Sequence, residues 1–381
     1  MEYPNSSGRM GPTDAIPALA ESLLRDARRL LNGVPGPDEE WRGATRFTVL
    51  RRGDRNTVMR ARVPGDDDVD PASARTLVLK LAGDDADLAD ADLRNMHALT
   101  GLGIVPDVVA DGGEARGFAM RDAGDDTLTR RLMAESPAIA RDGVVRMARA
   151  YARLHVEGRA LMDRTASMRQ AAMTRELGLW MDGLPRALAW LRIGAHDARV
   201  RRAMSRISAA WYAGREQLTL THGDPAPGNV LFTRDGEARL VDFEYAAPRL
   251  PAYDLTAWDV LCPLPNDLLQ LLRAEYAAAR GALGWPVAAD GEAYDVVVAY
   301  RALALLAWLP PEGVERDRRW VDAWSVRQAV LSTLDRLADR CRANGELQRL
   351  AEAAAAAAAH WRGEWPTVTE VLPPWPALAS R

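Results

Sequence analysis

Asp224, Asn229 and Asp242 stand at spacings that could hold a metal ion and move a proton. They fall in Thr221-His222-Gly223-Asp224-Pro225-Ala226-Pro227-Gly228-Asn229-Val230-Leu231-Phe232 and in the continuation Thr233-Arg234-Asp235-Gly236-Glu237-Ala238-Arg239-Leu240-Val241-Asp242-Phe243. Asp235-Gly236 between two apolar segments is a hairpin signal, so residues 230–232 are expected to pair with residues 238–241. Asn229 then precedes the first strand and Asp242 ends the second, at the same end of an antiparallel pair. Asp224 lies in a Pro/Gly-constrained loop feeding that end. Two carboxylates and an amide offer oxygen donors, which suit Mg²⁺; that ion takes few protein ligands and shares its shell with phosphates. A turn or capping role would explain Asp242 alone, but not its convergence with the other two.

Lys80 is the second chemical signal. It is the only lysine in a chain with 49 lysines and arginines. The Ala, Arg, Gly and Asp bias points to GC-rich coding, in which arginine replaces lysine wherever it will serve. A retained lysine marks either chance survival or a place for a compact ammonium. In the expected strand 76–81, Thr76, Val78 and Lys80 share one face while Leu77, Leu79 and Leu81 share the other.

The elements that must position these residues follow from apolar spacing. Strands are expected at 47–50 and 57–63 around Arg52-Gly53-Asp54, then at 76–81. An acidic helix follows at 87–99, with Leu88, Leu93, Met96 and Leu99 apolar, and then short strands at 104–109 and 117–120. This is a small α+β lobe ending near Arg121. Beyond Asp125 the spacing predicts helices at 127–135, 139–155, 167–180, 185–193, 198–214, 266–283, 292–309 and 320–342, interrupted by loop and strand signals at 219–242. The alanine run 353–359 reads as helix. A helix-like pattern at 12–31 precedes all of this, and the tail is proline-rich.

The His-x-Asp-x-x-x-x-Asn spacing of His222 to Asn229, followed by Asp242-Phe243, resembles the kinase catalytic set. More narrowly, His222-Gly223-Asp224 with Pro227-Gly228-Asn229-Val230-Leu231 resembles the aminoglycoside phosphotransferase and choline-kinase-like family, which has Gly where protein kinases have Arg. Ala152-Arg153-Leu154-His155 resembles that family's upstream helix motif, and Tyr253-Asp254-Leu255 its downstream segment. The resemblance covers roughly residues 46–258. It implies an α+β, two-lobed, protein-kinase-like fold, with a nucleotide-binding lobe at 41–121 and a mainly helical catalytic and substrate-binding lobe at 122–381; the apolar pattern near the N-terminus adds a helical extension at 1–40, and the outer segments carry no resemblance.

The resemblance also implies roles. Asp224 accepts or orients the proton of the attacking hydroxyl, and Asn229 and Asp242 hold Mg²⁺. Lys80 binds the nucleotide phosphates, paired with an acid from the next helix; Asp92 aligns with that acid, and Asp90 is its neighbour. Gly53 and Asn56 fit the phosphate-covering turn, although Arg52 and Arg55 stand where the family often has Gly and Ser. Met120 lies in the strand leading to the linker, where backbone groups could meet adenine or where it is plain core. His222 reads as a loop scaffold rather than a base. Asp254 reads as a brace for the catalytic loop. Glu244 supports the cation, faces substrate or lies at the surface. Asp259 either lines an acidic cleft or does not face substrate at all. Trp258, Trp308, Trp320 and Trp324 read as core.

The implied reaction moves the γ-phosphoryl of ATP, or GTP, to a hydroxyl of a small acceptor. A cationic antibiotic such as an aminoglycoside is the leading class, with the acceptor pocket formed by helices after Asp259. A metabolic kinase of an amino alcohol, homoserine or sugar is the second reading. A nucleotide-binding regulator without phosphotransfer is the third, and the presence of Asp224, Asp242 and Lys80 together stands against it.

Composition excludes other classes. The 381 residues carry a net charge of −4, without the basic excess of a nucleic-acid binder. Two cysteines, Cys262 and Cys341, cannot form a disulfide framework or a four-cysteine zinc site. The polar N-terminus lacks a signal-peptide core, and no apolar run reaches membrane-spanning length, so a cytoplasmic setting is expected. The phosphate loop ending in Gly-Lys-Ser/Thr, His-Glu-x-x-His and Gly-x-Ser-x-Gly are all absent.

Overall fold

Aliphatic and β-branched residues recur along the first three strands, where they suit a pleated surface. A computed structural model of the chain describes Ala20, residues 46–52, 56–63, 75–82, 86–111, 117–134, 136–285, 291–309, 311–320, 324–368 and Trp375. The expected helix at 12–31 lies outside these residues except for Ala20, as do Gly53 and Arg55. The chain forms two compact units: Met1–Asp125 with Leu231–Ala246, and Asp126–Val230 with Ala247–Arg381. The hairpin after Asn229 therefore groups with the first unit, whereas the sequence reading placed it with the helical lobe.

In the first unit, β1 (Arg46–Arg52), β2 (Asn56–Val63) and β3 (Arg75–Ala82) precede α1 (Ala86–Leu99), β4 (Val108–Asp111) and β5 (Gly117–Arg121). The strands form one antiparallel sheet in the order β1-β2-β3-β5-β4. Leu77, Leu79 and Leu81 are buried together with Met59, Ala61, Val109, Ala110, Ala119 and Ala20, and Phe47 packs against them. Lys80 falls on the opposite face of β3, directly across from Phe118 in register. The segment expected as a strand from Ile104 is irregular until Val108, yet Ile104 O still accepts a hydrogen bond from Leu240 N–H at 2.8 Å.

The chain continues through β6 (Asp126–Thr127), α2 (Leu128–Met133), α3 (Pro137–Glu157), α4 (Ala166–Trp190), α5 (Ala198–Ala209) and β7 (Thr219–Thr221). Then come β8 (Val230–Phe232), β9 (Ala238–Leu240) and β10 (Ala247–Arg249). Short α6 (Ala252–Leu255) and α7 (Ala257–Val260) lead to α8 (Asn266–Ala282), α9 (Gly291–Trp308), α10 (Pro311–Glu315), α11 (Val326–Cys341) and α12 (Gln348–Glu364). In the second unit α3 packs on α8, α4 on α9, and α11 on α12.

Pro185 does not divide the segment expected as two helices; it sits inside the continuous α4. Packing offsets its missing donor: α4 lies so close to α9 that a Cβ at Gly183 would come 2.6 Å from Ala307 Cβ. Helix α11 starts later than expected, at a capping box in which Ser325 and Gln328 bond each other's backbone. Trp258 and Trp324 are buried, as core residues should be, and Trp308 meets Trp320 edge to face. Both cysteines are buried, and neither is in a disulfide. Among the described residues no helix is long and apolar enough to cross a membrane.

Candidate active site

Helix α1 buries a stripe at positions 92, 95, 96 and 99, the i, i+3, i+4, i+7 spacing of one helix face. Met96 and Leu99 make it apolar, and Asp92 and Asn95 put two polar groups on the same buried face. Asp92 Oδ2 takes a hydrogen bond from Lys80 Nζ at 2.7 Å. Asp90 is exposed, so Asp92 is the helix acid paired with the lysine.

Lys80 Nζ also donates to Asp242 Oδ1 at 2.5 Å and lies 3.7 Å from Glu244 Oε2. Burial opposes its charge, but Asp92, Asp242 and Glu244 together raise its pKa above the ordinary lysine value. The Asp92 carboxyl is also pushed up: burial and the neighbouring Asp242 charge outweigh the attraction of Lys80. Glu244 is buried, which removes the surface reading of that residue.

Phe243, the residue after Asp242, is held by α1 at both its N–H and its carbonyl. Phe243 N–H donates to Asp92 Oδ1 at 2.7 Å, and Asn95 Nδ2 donates to Phe243 O at 2.8 Å. Asp242 itself has φ +72°, the left-handed region that non-glycine residues enter at a cost. Upstream, the turn before β9 relies on Gly236 at φ +83°, and Thr233 N–H donates to Glu237 O at 2.9 Å. The Asp235-Gly236 hairpin is thus present, with β8 and β9 neighbours in one small sheet.

A cavity of about 280 Å³ in the first unit is lined by Asn56, Lys80, Leu88, Gly117, Phe118 and Glu244, among others. It pairs an ammonium and polar groups with an aromatic and aliphatic wall. Met120 does not line it; that residue is buried opposite Val78 in the sheet.

In the second unit the loop bearing Asp224 is built by backbone hydrogen bonds. Gly223 has φ +89°, so glycine is favoured there. Asp254, fully buried, accepts from His222 N–H at 2.7 Å, Gly223 N–H at 3.0 Å and His155 Nε2 at 3.0 Å. His155 Nδ1 meets the Tyr276 hydroxyl at 2.8 Å, and its carbonyl accepts from the Thr219 hydroxyl. Asp254 is therefore the loop brace expected from the sequence. His222 Nδ1 accepts from Asp224 N–H at 3.3 Å, which makes it a scaffold for that loop. Asn229 Nδ2 donates to Asp224 O at 3.0 Å, leaving its amide oxygen as the acceptor end. Arg249 adds a further buttress, donating to Thr221 Oγ1 at 3.0 Å and to Glu176 Oε1 at 2.8 Å.

Burial raises the Asp254 pKa, but bonding and charge from His155, His222 and the Gly223 amide lower it overall, below 3.8. Its stabilisation is full above pH 3.8 and fades as pH falls through the folded-state value. Asp254→Asn should therefore cost about 3 kcal/mol at pH 7 and flatten the acid limb of stability. A denaturant series across pH measures this; a variant with the wild-type acid limb contradicts it.

Asp259 does not line a cleft. It is buried, accepting from Tyr294 Oη at 2.5 Å and Arg340 Nε at 3.0 Å, with Arg336 3.7 Å away. A roomier cavity of about 480 Å³ in the second unit is not lined by Asp224 or Asn229, and its buried charged pair, Glu176 with Arg249, is internally neutralised.

Divalent-cation binding suits the donor types present. Lys80 lies within 3.7 Å of three carboxylates, Arg51 Nη1 stands 4.0 Å from one of them, Asp242, and that carboxylate remains partly exposed (17%). Hard oxygen donors fit Mg²⁺. Sequence reading missed Asn95, whose signal was a polar residue one turn beyond Asp92 beside Met96. It also missed Arg51, whose Nη1 lies 4.0 Å from Asp242 Oδ2.

An antiparallel five-stranded sheet carrying a lysine–carboxylate pair, with a braced His-Gly-Asp loop in a helical unit, defines a kinase-like phosphotransferase. The profile of the phosphotransferase enzyme family matches residues 68–290, and the chain belongs to that family. No curated protein matches it. The microcompartment-associated aminopropanol kinase is similar in structure: 16% identity, TM-score 0.51, covering 88% of this chain and 99% of that one. Aminoglycoside-3'-phosphotransferase of type VIII shows 21% identity and TM-score 0.41, covering 75% and 99%. Choline kinase LicA from Streptococcus pneumoniae shows 13% identity and TM-score 0.47, covering 82% and 93%. The fold is α+β and two-lobed, and the chain is a phosphotransferase of the small-molecule kinase kind.

Proposed function

We propose that this phosphotransferase moves the γ-phosphoryl of ATP, or GTP, to a hydroxyl of a small cationic acceptor. An aminoglycoside-type antibiotic is the first class to test. The observation that carries the reaction type is the buried Lys80 held by Asp92, Asp242 and Glu244. A lysine so placed presents a fixed ammonium to phosphate. Mg²⁺ bound with the nucleotide would neutralise charge on the transferring group. Asn229 and Asp242 are the residues to hold it, and Lys80 and Asn56 the ones to meet the nucleotide. Asp224 receives the proton of the acceptor hydroxyl and orients its oxygen.

The acceptor class rests on the resemblance of His222-Gly223-Asp224 and Pro227-Gly228-Asn229 to the antibiotic and choline-type phosphotransferases. An amino alcohol is the second reading, and the aminopropanol kinase of similar fold is its prompt. A screen for Mg²⁺-dependent ATP consumption against aminoglycosides, macrolides, choline, ethanolamine and aminopropanol separates the two. Turnover on an aminoglycoside supports the first reading; turnover confined to amino alcohols replaces it with the second. Silence on every acceptor, with Mg²⁺–ATP bound, rejects both.

A further inference from the structure

We propose that Asn95 is a positioning residue for Asp242, setting the affinity of the site for its divalent cation. This rests on the reading of Asp242 as a cation ligand. Asp242 has φ +72°, a conformation that no glycine relieves and that its surroundings must hold in place. Two side chains from α1 do so. Asp92 takes the N–H of the following peptide, and Asn95 gives an N–H to the carbonyl of Phe243. The peptide between Asp242 and Phe243 and the carbonyl beyond it are thereby fixed against one helix face.

Asp92 has a second duty, the ion pair with Lys80. Asn95 has no such duty. It is fully buried, and its Oδ1 has no hydrogen-bond partner. A buried amide with an unmatched oxygen is a poor choice for stability alone, since an apolar side chain of the same size would avoid the desolvation loss. What the amide supplies that leucine cannot is the N–H to Phe243 O. The Phe243 ring is buried too, so the backbone after Asp242 is pinned by ring and carbonyl together. A kinase that binds its cation through one such carboxylate gains if that carboxylate is oriented before the ion arrives.

Asn95→Leu tests this in the full-length protein. The probes are Mg²⁺ and a non-hydrolysable ATP analogue, read by calorimetry, with thermal unfolding alongside. The apparent Mg²⁺ affinity in the presence of the analogue should weaken about tenfold, the scale of one buried hydrogen bond. Analogue affinity without Mg²⁺ should stay within about twofold, and Tm should change little, because Phe243 O keeps its hydrogen bond from Ala246 N–H at 3.0 Å. Unchanged Mg²⁺ affinity, or equal weakening with and without the ion, overturns the inference. Should the leucine variant not fold, Asn95→Ala replaces it: a smaller side chain with no donor toward the carbonyl, and the same Mg²⁺-specific loss expected. Asp242→Asn separates the two levels of the argument. If it leaves Mg²⁺ affinity intact, the ligand reading itself fails. If it abolishes the Mg²⁺ effect while Asn95→Leu does not, only the role of Asn95 fails.

Discussion

Lys80→Met should lower stability by about 3 kcal/mol and reduce kcat/KM by at least about a hundredfold. The two effects share a cause. The ammonium is buried, with its side chain 8% exposed, and three carboxylates face it. Removing it leaves Asp92 charged at 1% exposure without its counterion, and burial already pushes that carboxyl's pKa up. The variant should therefore take up a proton at Asp92 more readily than the wild type, and its stability deficit should shrink as pH falls. Lys80→Arg should not rescue: a planar guanidinium cannot replace a compact ammonium bonded to two carboxylates at 2.7 and 2.5 Å. Denaturant unfolding across pH and steady-state kinetics check both halves. Wild-type stability with unchanged turnover would remove the lysine from the account.

Asp224→Asn should reduce kcat by about a hundredfold to ten-thousandfold, the range for loss of a general base, while nucleotide affinity stays within about twofold. The loop should survive the change, because the bonds shaping it use the backbone of Asp224. Its N–H goes to His222, and its carbonyl accepts from Asn229 Nδ2 and from Ala226 N–H at 2.8 Å. The brace beneath, Asp254 with His222, Gly223 and His155, does not involve the Asp224 carboxylate. Activity should thus fall without a matching fall in Tm. If kcat and stability dropped in proportion, Asp224 would be a structural residue.

Local pattern made most of this legible. The period of two in residues 76–81 placed Lys80 opposite the leucines, and Asp235-Gly236 marked a turn that Gly236 makes with positive φ. The family resemblance, rather than local pattern, pointed to Asp92 as the helix acid, and it is the carboxylate that pairs with Lys80. What escaped depends on partners distant in sequence. Glu244 read equally as a surface, substrate or cation carboxylate until Lys80, 164 positions away, came within 3.7 Å. Asp259 revealed its partners only where Tyr294 and Arg340 fold over it. Pro185 looked like a helix break because propensity ignores the close packing of Gly183 on Ala307. The left-handed backbone at Asp242 has no local signature; two α1 side chains about 150 residues earlier accompany it.

The most direct test follows the phosphoryl group itself. Full-length protein is incubated with Mg²⁺, γ-labelled ATP and an acceptor that stimulates ATP consumption, and the products are separated. Label is expected in a phosphate monoester of the acceptor, and it should be lost in Asp224→Asn with nucleotide binding retained. Label found only in inorganic phosphate, or transfer to acceptor undiminished in Asp224→Asn, would contradict the proposed reaction.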